Sequence, residues 1–311
     1  MLSPSIVTLN PSVNHLQSTR NKDLQHNHPG NKRVTTALLL AAGMGTRLYP
    51  LTQNEPKCLT LVNGMSILER LISCLKLQGF KRLVVVTGHL ENQIRDFLGN
   101  QIGEIKIDYV FSPLYKTTNN IYSLWMARKI INEPFLLLES DLVFDESLLD
   151  AMLYSDRIAV AKMQTWMNGT CVTINQSKQV KAFLAGDADS FGDIKYKTVN
   201  IYSISLDSWR KIVKRLDQRI ADGKVNDYYE TIFAEMIADG SLSFENVSFD
   251  GKPWYEIDTI EDLAEAEKLF LSGNYLVTKN NNLPRPDFLN LKLINSVISP
   301  QRSTGILNAT R

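Results

Sequence analysis

Charge of one sign is what this sequence has least of: 34 Lys and Arg stand against 33 Asp and Glu, a net charge of +1 at pH 7. A chain so balanced carries no field that would draw nucleic acid or an acidic membrane surface, so neither is an expected partner. Any phosphate it binds must be held by local groups. Cysteine is nearly absent. Cys58, Cys74 and Cys171 are scattered, odd in number and free of Cys-x-x-Cys spacing. That argues against a disulfide framework or a zinc site and suits a reducing cytosol. No apolar run approaches the roughly 20 residues that cross a bilayer. The start lacks the charged and apolar stretches of a secretory signal. The expectation is a soluble, cytoplasmic protein.

Large apolar residues are also scarce at the start of the sequence. Residues 1–33 are rich in Asn, Ser, His, Gln and Pro. Such a segment buries too little to offset its ordering entropy and reads as a disordered polar extension. Its His15, His26 and His28 read as part of a polar tail, because no fixed geometry surrounds them. Residues 274–311 are rich in Asn, Ser and Pro and weakly patterned, and read as a flexible tail or a fusion junction. Between them, residues 34–273 read as one domain. Hydrophobic residues make up 44% of the 311 positions, enough for a substantial core.

The first half of that domain alternates. Val34 to Ala42 is an apolar run ending in a glycine loop, and Ser66 to Leu77 has apolar residues at helical spacing with Ser66 as the N-cap. Arg82 to Thr87 reads as a strand closed by Gly88, Leu90 to Leu98 as a helix and Ile105 to Phe111 as a strand. Asn120 to Ile131 reads as a helix, and Phe135 to Leu138 as a central strand running into Glu139-Ser140-Asp141. Strand and helix in turn predict a mostly parallel sheet covered on both faces. In such sheets ligands bind beyond the carboxyl ends of the strands, where Gly43, Gly45 and Asp141 would lie.

The second half reads as short strands over 158–164, 170–174, 180–183 and 198–205, partly antiparallel, then helices over 206–221 and 227–239. Strands over 243–247 and 254–257 and a closing helix over 259–272 follow.

The loop Leu40-Ala41-Ala42-Gly43-Met44-Gly45-Thr46-Arg47, followed by Pro56-Lys57, is the most specific string. Small residues let backbone N–H groups approach phosphate oxygens. Arg47 and Lys57 supply cations where negative charge develops on the transferred group and on departing pyrophosphate. Two familiar alternatives fail. A dinucleotide fingerprint needs a third small residue where Leu48 stands, and a P-loop needs a Gly-Lys-Ser/Thr triplet that does not occur. No obvious Ser/His/Asp or Cys/His set is present either.

This string resembles the signature of the nucleoside-triphosphate transferase superfamily, whose members make NDP-sugars, CDP-alcohols and similar compounds. The resemblance runs from about Thr35 to about Leu271. It implies an α/β, three-layer, Rossmann-like nucleotidyltransferase fold with a mixed, mostly parallel central sheet. It implies Arg47 and Lys57 as the catalytic pair that binds the triphosphate. The expected nucleotide contacts are Leu40, Ala41, Ala42, Gly43, Gly45, Thr46, Arg47, Lys57 and Gly88, with Asn120 and Ser123 reading the base. Asp141 and Asp258 each follow a strand, and each reads on its own as a turn or cap residue. The resemblance implies instead that both hold Mg²⁺, which prefers carboxylate, water and phosphate oxygens. Where typical sugar-1-phosphate enzymes carry Gly-Asp, this chain has Glu139-Ser140-Asp141.

Asn119-Asn120-Ile121-Tyr122-Ser123-Leu124 resembles the phosphocholine cytidylyltransferase branch, which makes CTP the expected nucleotide. That branch also acts on aminoalkyl phosphonates and other small phosphates. Trp166, Lys197, Asn200, Tyr228, Tyr229 and Glu230 are the expected acceptor contacts. The tyrosines are either the inner face of a helix or part of an aromatic box for an ammonium group, and Lys197 is either a strand-edge lysine or a grip on the acceptor's phosphoryl group. The expected activity transfers NMP from an NTP to a small phosphorylated or phosphonylated acceptor. Two alternatives stay open: a sugar-1-phosphate nucleotidyltransferase, and an inactive nucleotide-binding regulatory subunit. A homo-oligomer is open as well.

Overall fold

The computed structural model describes residues 33–271 except 165–166, 185–189 and 191. The expected tails, Arg33 apart, and Trp166 lie outside these residues. In chain order the first elements are β1 (Thr36–Ala41), β2 (Leu61–Val62), β3 (Met65–Ser66), α1 (Ile67–Leu77), β4 (Arg82–Thr87), α2 (Glu91–Leu98), β5 (Gln101–Ile102), β6 (Ile105–Phe111), α3 (Asn120–Ala127) and β7 (Phe135–Glu139). Then come β8 (Leu142–Phe144), β9 (Arg157–Lys162), β10 (Cys171–Ile174), β11 (Val180–Leu184), β12 (Tyr196–Ile204), α4 (Leu206–Ala221), α5 (Glu230–Ala238), β13 (Glu245–Ser248), β14 (Trp254–Glu256) and α6 (Ile260–Leu271).

The strands form a sheet in the order β11-β10-β12-β7-β1-β4-β6-β5, with β9 and β13 branching from β12. The β7-β1-β4-β6 stretch is parallel, and β12 joins β7 antiparallel. Successive strand side chains point to opposite faces. Accordingly Leu39, Leu83, Val85 and Leu138 pack with α1 and α2, while Leu38, Leu40, Val84 and Leu137 pack with α3, α4 and α5. These are the three expected layers. The continuous apolar runs exist because both sheet faces are covered.

Register positions the site. Leu40 of β1 pairs with Val86 and Glu139, so β1, β4 and β7 end together. Because β12 runs against β7 and Ile201 pairs with Leu138, the residues before Ile201 extend past the end of β7 on that same edge. A small second sheet pairs β14 with β8, Glu256 opposite Leu142, and the Ile257 amide donates to the Asp141 carbonyl at 2.9 Å.

Most boundaries shift by a residue or two from expectation, and three of the shifts have a local cause. Helix α3 stops at Ala127, and Arg128, Lys129 and Ile130 tighten into bonds to the third residue back. Helix α5 begins at Glu230, because the Tyr229 amide donates to the Asn120 side-chain oxygen at 3.0 Å. The closing helix begins at Ile260 and is capped by Thr259, whose hydroxyl accepts from the Asp262 amide while Asp262 accepts from the amides of Asp258 and Thr259. The Asp258 carboxylate is therefore free of capping duty. Ser66 caps α1 as expected, accepting from the Glu69 amide at 3.1 Å. All three cysteines are free and buried, and burial pushes the Cys58 and Cys74 thiols up to about 12. Among the described residues no helix is long and apolar enough to cross a membrane.

Candidate active site

The loop after β1 turns on Gly45, which sits at φ 63°, ψ 32° in the left-handed region. A Cβ there would come within 3.2 Å of Lys57 Cβ and 3.3 Å of Thr52 Cγ2. The Thr52 hydroxyl donates to the Gly45 carbonyl at 2.7 Å, tying the loop to the segment that carries Lys57. Gly43 is different: a Cβ on it would meet nothing within 4 Å, so the protein itself does not demand glycine there. Gly88 is hemmed in. A Cβ on it would lie 2.6 Å from the Ala42 carbonyl and 2.8 Å from Tyr115.

Four charged side chains meet beside this loop. Lys57 Nζ donates to Asp141 Oδ2 at 2.8 Å and to Asp258 Oδ1 at 2.7 Å, and Arg47 donates to the same Asp258 oxygen at 2.7 Å. Burial pulls the Lys57 pKa down, but the fields and hydrogen bonds of Asp141 and Asp258 outweigh it, and the net shift is upward. Lys57 is thus held charged. The second oxygen of Asp141, Oδ1, is buried without a hydrogen-bond partner. Among the described residues no group of three or more His, Cys, Asp or Glu side chains is placed to hold a metal by itself. Asp141 and Asp258 supply two carboxylates and one orphaned oxygen, a donor set that suits a hard cation once phosphate oxygens join it.

Two cavities adjoin at this cluster and share Arg47, Asn120, Glu139, Asp141, Tyr228 and Asp258. The first, about 310 Å³, is walled by Leu40, Ala42, Gly43, Gly45, Thr46, Lys57 and Ser123. The second, about 430 Å³, is walled by Asn168, Thr170, Lys197, Asn200, Glu230 and Glu256. Lys197 is buried, donates to the Thr198 carbonyl at 2.9 Å and pairs with Glu256 at 3.1 Å, so it is no exposed edge lysine. Asn200 interrupts β12 at φ 58°, where the pairing with β9 slips between Thr198 and Tyr202. This bulge accompanies an Asn200 amide that reaches Glu256 at 3.2 Å. Carboxylates crowd this wall. Burial and then Asp141 hold the Glu139 carboxyl well above the usual range, burial lifts Glu256, and burial lifts Glu230 to about 7.

Most expected site residues therefore converge, and three need correction. Tyr229 is wholly buried and packs on Tyr202 and Phe233, so it is core and not part of an aromatic box. Ala41 turns into the core on the α1 side and lines neither cavity. Gly88 also lines neither; it lets the loop pack down on β4, where the His89 amide donates to the Ala42 carbonyl at 3.0 Å. Tyr228 stands at the shared mouth, 60% exposed. Neither Glu139 nor Glu256 is among the site residues expected from sequence. Period two would have found Glu256, which stands two residues before Asp258 at a strand end and so shares its face. Asn168 and Thr170 stand in the string Trp166-Met167-Asn168-Gly169-Thr170, which resembles the phosphocholine cytidylyltransferase branch but from which only Trp166 is an expected contact.

Residues 36–181 match the nucleotidyl transferase family. The chain is 29% identical over 246 residues to a CMP-5'-(3-aminopropyl)phosphonate synthase of Streptomyces rubellomurinus, covering 75% of this chain and 38% of that protein. It is 26% identical over 239 residues to a choline-phosphate cytidylyltransferase of Streptococcus pneumoniae, covering 76% of this chain and 99% of the other. The fold superposes on a solved CTP:phosphocholine cytidylyltransferase from Streptococcus pneumoniae with a TM-score of 0.66 at 23% identity, over 77% of this chain and all of that one. The match thus spans well under half of the first relative and nearly the whole of the second.

Proposed function

We propose that this chain, whose residues 36–181 match the nucleotidyl transferase family, transfers CMP from CTP to a small phosphorylated or phosphonylated, amine-bearing acceptor and releases pyrophosphate. One observation carries the reading. Lys57 bridges Asp141 and Asp258 at the boundary where the phosphate-loop cavity meets the Lys197–Asn200 cavity. The reaction needs that juxtaposition. An oxygen of the acceptor's phosphoryl group attacks the α-phosphorus, and the bond from that phosphorus to the β-bridging oxygen breaks. The attacking oxygen is already ionised near neutral pH, so no protein nucleophile or base is required.

Each residue then has a task. Lys57 and Arg47 turn from the aspartates toward the triphosphate and offset the charge of the departing pyrophosphate. Asn120 and Ser123, at the start of α3, face the base in the first cavity. Lys197 and Asn200 hold the acceptor's anionic end in the second. Asp141, with its orphaned Oδ1, and Asp258 would hold Mg²⁺. When bound, that ion neutralises the α-phosphate and orients it for in-line attack. The buried free thiols fit a reducing compartment, and we place the protein in the cytoplasm.

The second cavity also carries amides, Asn120, Asn168 and Asn200, which would suit a sugar phosphate. Its three glutamates favour a cation instead. Pyrophosphate release tests both, with CTP, UTP, dTTP, ATP and GTP crossed against phosphocholine, 2-aminoethylphosphonate, inositol phosphate and glucose 1-phosphate. Release with CTP and an amine-bearing acceptor is expected. Release confined to UTP or dTTP with glucose 1-phosphate would replace the amine reading with the sugar one.

A further inference from the structure

Glu230 is only 7% exposed, lines the second cavity, and has a side-chain oxygen, Oε2, with no hydrogen-bond partner. The other two glutamates there are engaged, and Asp141 and Asp258 take Lys57 at the boundary with the first cavity. Glu256 takes the ion pair from Lys197 at 3.1 Å and the Asn200 amide at 3.2 Å, and Glu139 accepts from the Asn120 amide at 3.1 Å. A buried acceptor oxygen calls for a donor. With Lys197 already committed to Glu256, the cavity holds an acid surplus that a cation would offset.

The aromatic alternative is thinly supplied. A trimethylammonium group has no N–H and is held by aromatic faces stacked around it. Among the described lining residues Tyr115 belongs to the first cavity, and the second has a single ring, the exposed Tyr228 at its mouth. Tyr229, the other candidate, faces the core.

From these placements we propose that the acceptor cavity selects a primary ammonium group over a quaternary one, and that Glu230 makes the distinction by accepting an N–H from it. This rests on the reading of the second cavity as the acceptor site. An ammonium with three N–H donors meets the orphaned Oε2 and has donors left for Glu139. A trimethylammonium offers carbon to every one of these oxygens and is too bulky for close approach to them. A neutral hydroxyl satisfies one oxygen and leaves the acid surplus in place.

The test is calorimetric. The full chain, saturated with a non-hydrolysable CTP analogue and Mg²⁺ at pH 8, is titrated with 2-aminoethylphosphonate and with its N,N,N-trimethyl derivative. The wild type should bind the primary amine at least about tenfold more tightly, the scale of one charge-assisted hydrogen bond. Glu230→Gln should weaken the primary amine by about tenfold and leave the trimethyl compound unchanged, and Glu230→Asp should restore part of the preference. Equal or tighter binding of the trimethyl compound by the wild type overturns the proposal, and that comparison stands even where Glu230→Gln fails to fold. A preference undiminished in Glu230→Gln overturns it too. Binding of neither compound, while the nucleotide analogue still binds, removes the acceptor reading and the proposal with it. A selective cavity that simply prefers the other amine removes the proposal alone.

Discussion

The two cavities are built by different means. The phosphate-loop cavity takes its walls from loops at the carboxyl ends of parallel strands, where β1 and β7 finish side by side. Its groups are backbone amides and long cations that can turn between the aspartates and a ligand. The second cavity takes its walls from within antiparallel strands and the start of α5, where Lys197, Asn200 and Glu230 are buried and Lys197 and Asn200 both bond the half-buried Glu256. The first kind of wall can wrap a triphosphate. The second is a fixed polar template, suited to telling small head groups apart.

Variants can break this contrast, and the largest effect should come from the boundary itself. Asp141→Asn removes one of the two carboxylates that Lys57 bridges, and kcat should fall by about 10²–10³-fold or more, with steady-state kinetics as the check. Thermal unfolding should show the variant folded, because the site faces a cavity. Wild-type turnover would remove Asp141 from the chemistry. On the nucleotide side, Gly45→Ala places a Cβ at φ 63° and 3.2 Å from Lys57 Cβ. The strain of roughly 1 kcal/mol and the displaced lysine should raise the KM for CTP by about tenfold and leave the acceptor KM alone. On the acceptor side, Asn200→Gly keeps the left-handed backbone but loses the 3.2 Å bond to Glu256. The acceptor KM should rise by about tenfold with the CTP KM unchanged, and a reversed pattern would dissolve the division between the cavities.

How far these features could be read from sequence follows the same division. Gly43-Met44-Gly45-Thr46-Arg47 and Lys57 are near neighbours in the chain, and short-range packing fixes their geometry, so one string is enough. The parallel strands announce themselves as apolar runs such as Leu136–Leu138. Lys197 and Asn200 of β12, Glu230 of α5 and Glu256 of β14 come from three separate elements, and only tertiary register brings them together. The bulge at Asn200 is a pairing irregularity with no composition signal. Tyr228 and Tyr229 show the limit most clearly. Adjacent and chemically alike, one stands at the cavity mouth and the other in the core, and the difference is settled by the Asn120 bond to the Tyr229 amide and the start of α5.

The smallest expected effect concerns stability. Burial, opposed by Lys197 and reinforced by Glu256, lifts the Glu230 carboxyl from its ordinary 4.5 to about 7 in the fold. Asn120, Tyr202 and Glu139 also face this group. Between those two values the unfolded chain has given up a proton that the fold keeps, so this group's contribution to stability falls as pH rises from about 4.5 to about 7. Glu230→Gln removes that dependence. Its Tm relative to wild type should be higher at pH 8 than at pH 5 by several degrees, at about 2–4 °C per kcal/mol. A pH-independent difference would mean that Glu230 is ionised in the fold throughout.

The most direct test follows the α-phosphate. Wild type and Lys57→Ala are each incubated with CTP labelled at the α-phosphorus, Mg²⁺ and 2-aminoethylphosphonate, and the label is traced into a nucleotide–acceptor anhydride. The wild type should move the label and leave pyrophosphate unlabelled, while folded Lys57→Ala should move it at least about 10²-fold more slowly. Undiminished transfer by Lys57→Ala would contradict the account, because the group that joins the two cavities would then take no part in the reaction between them.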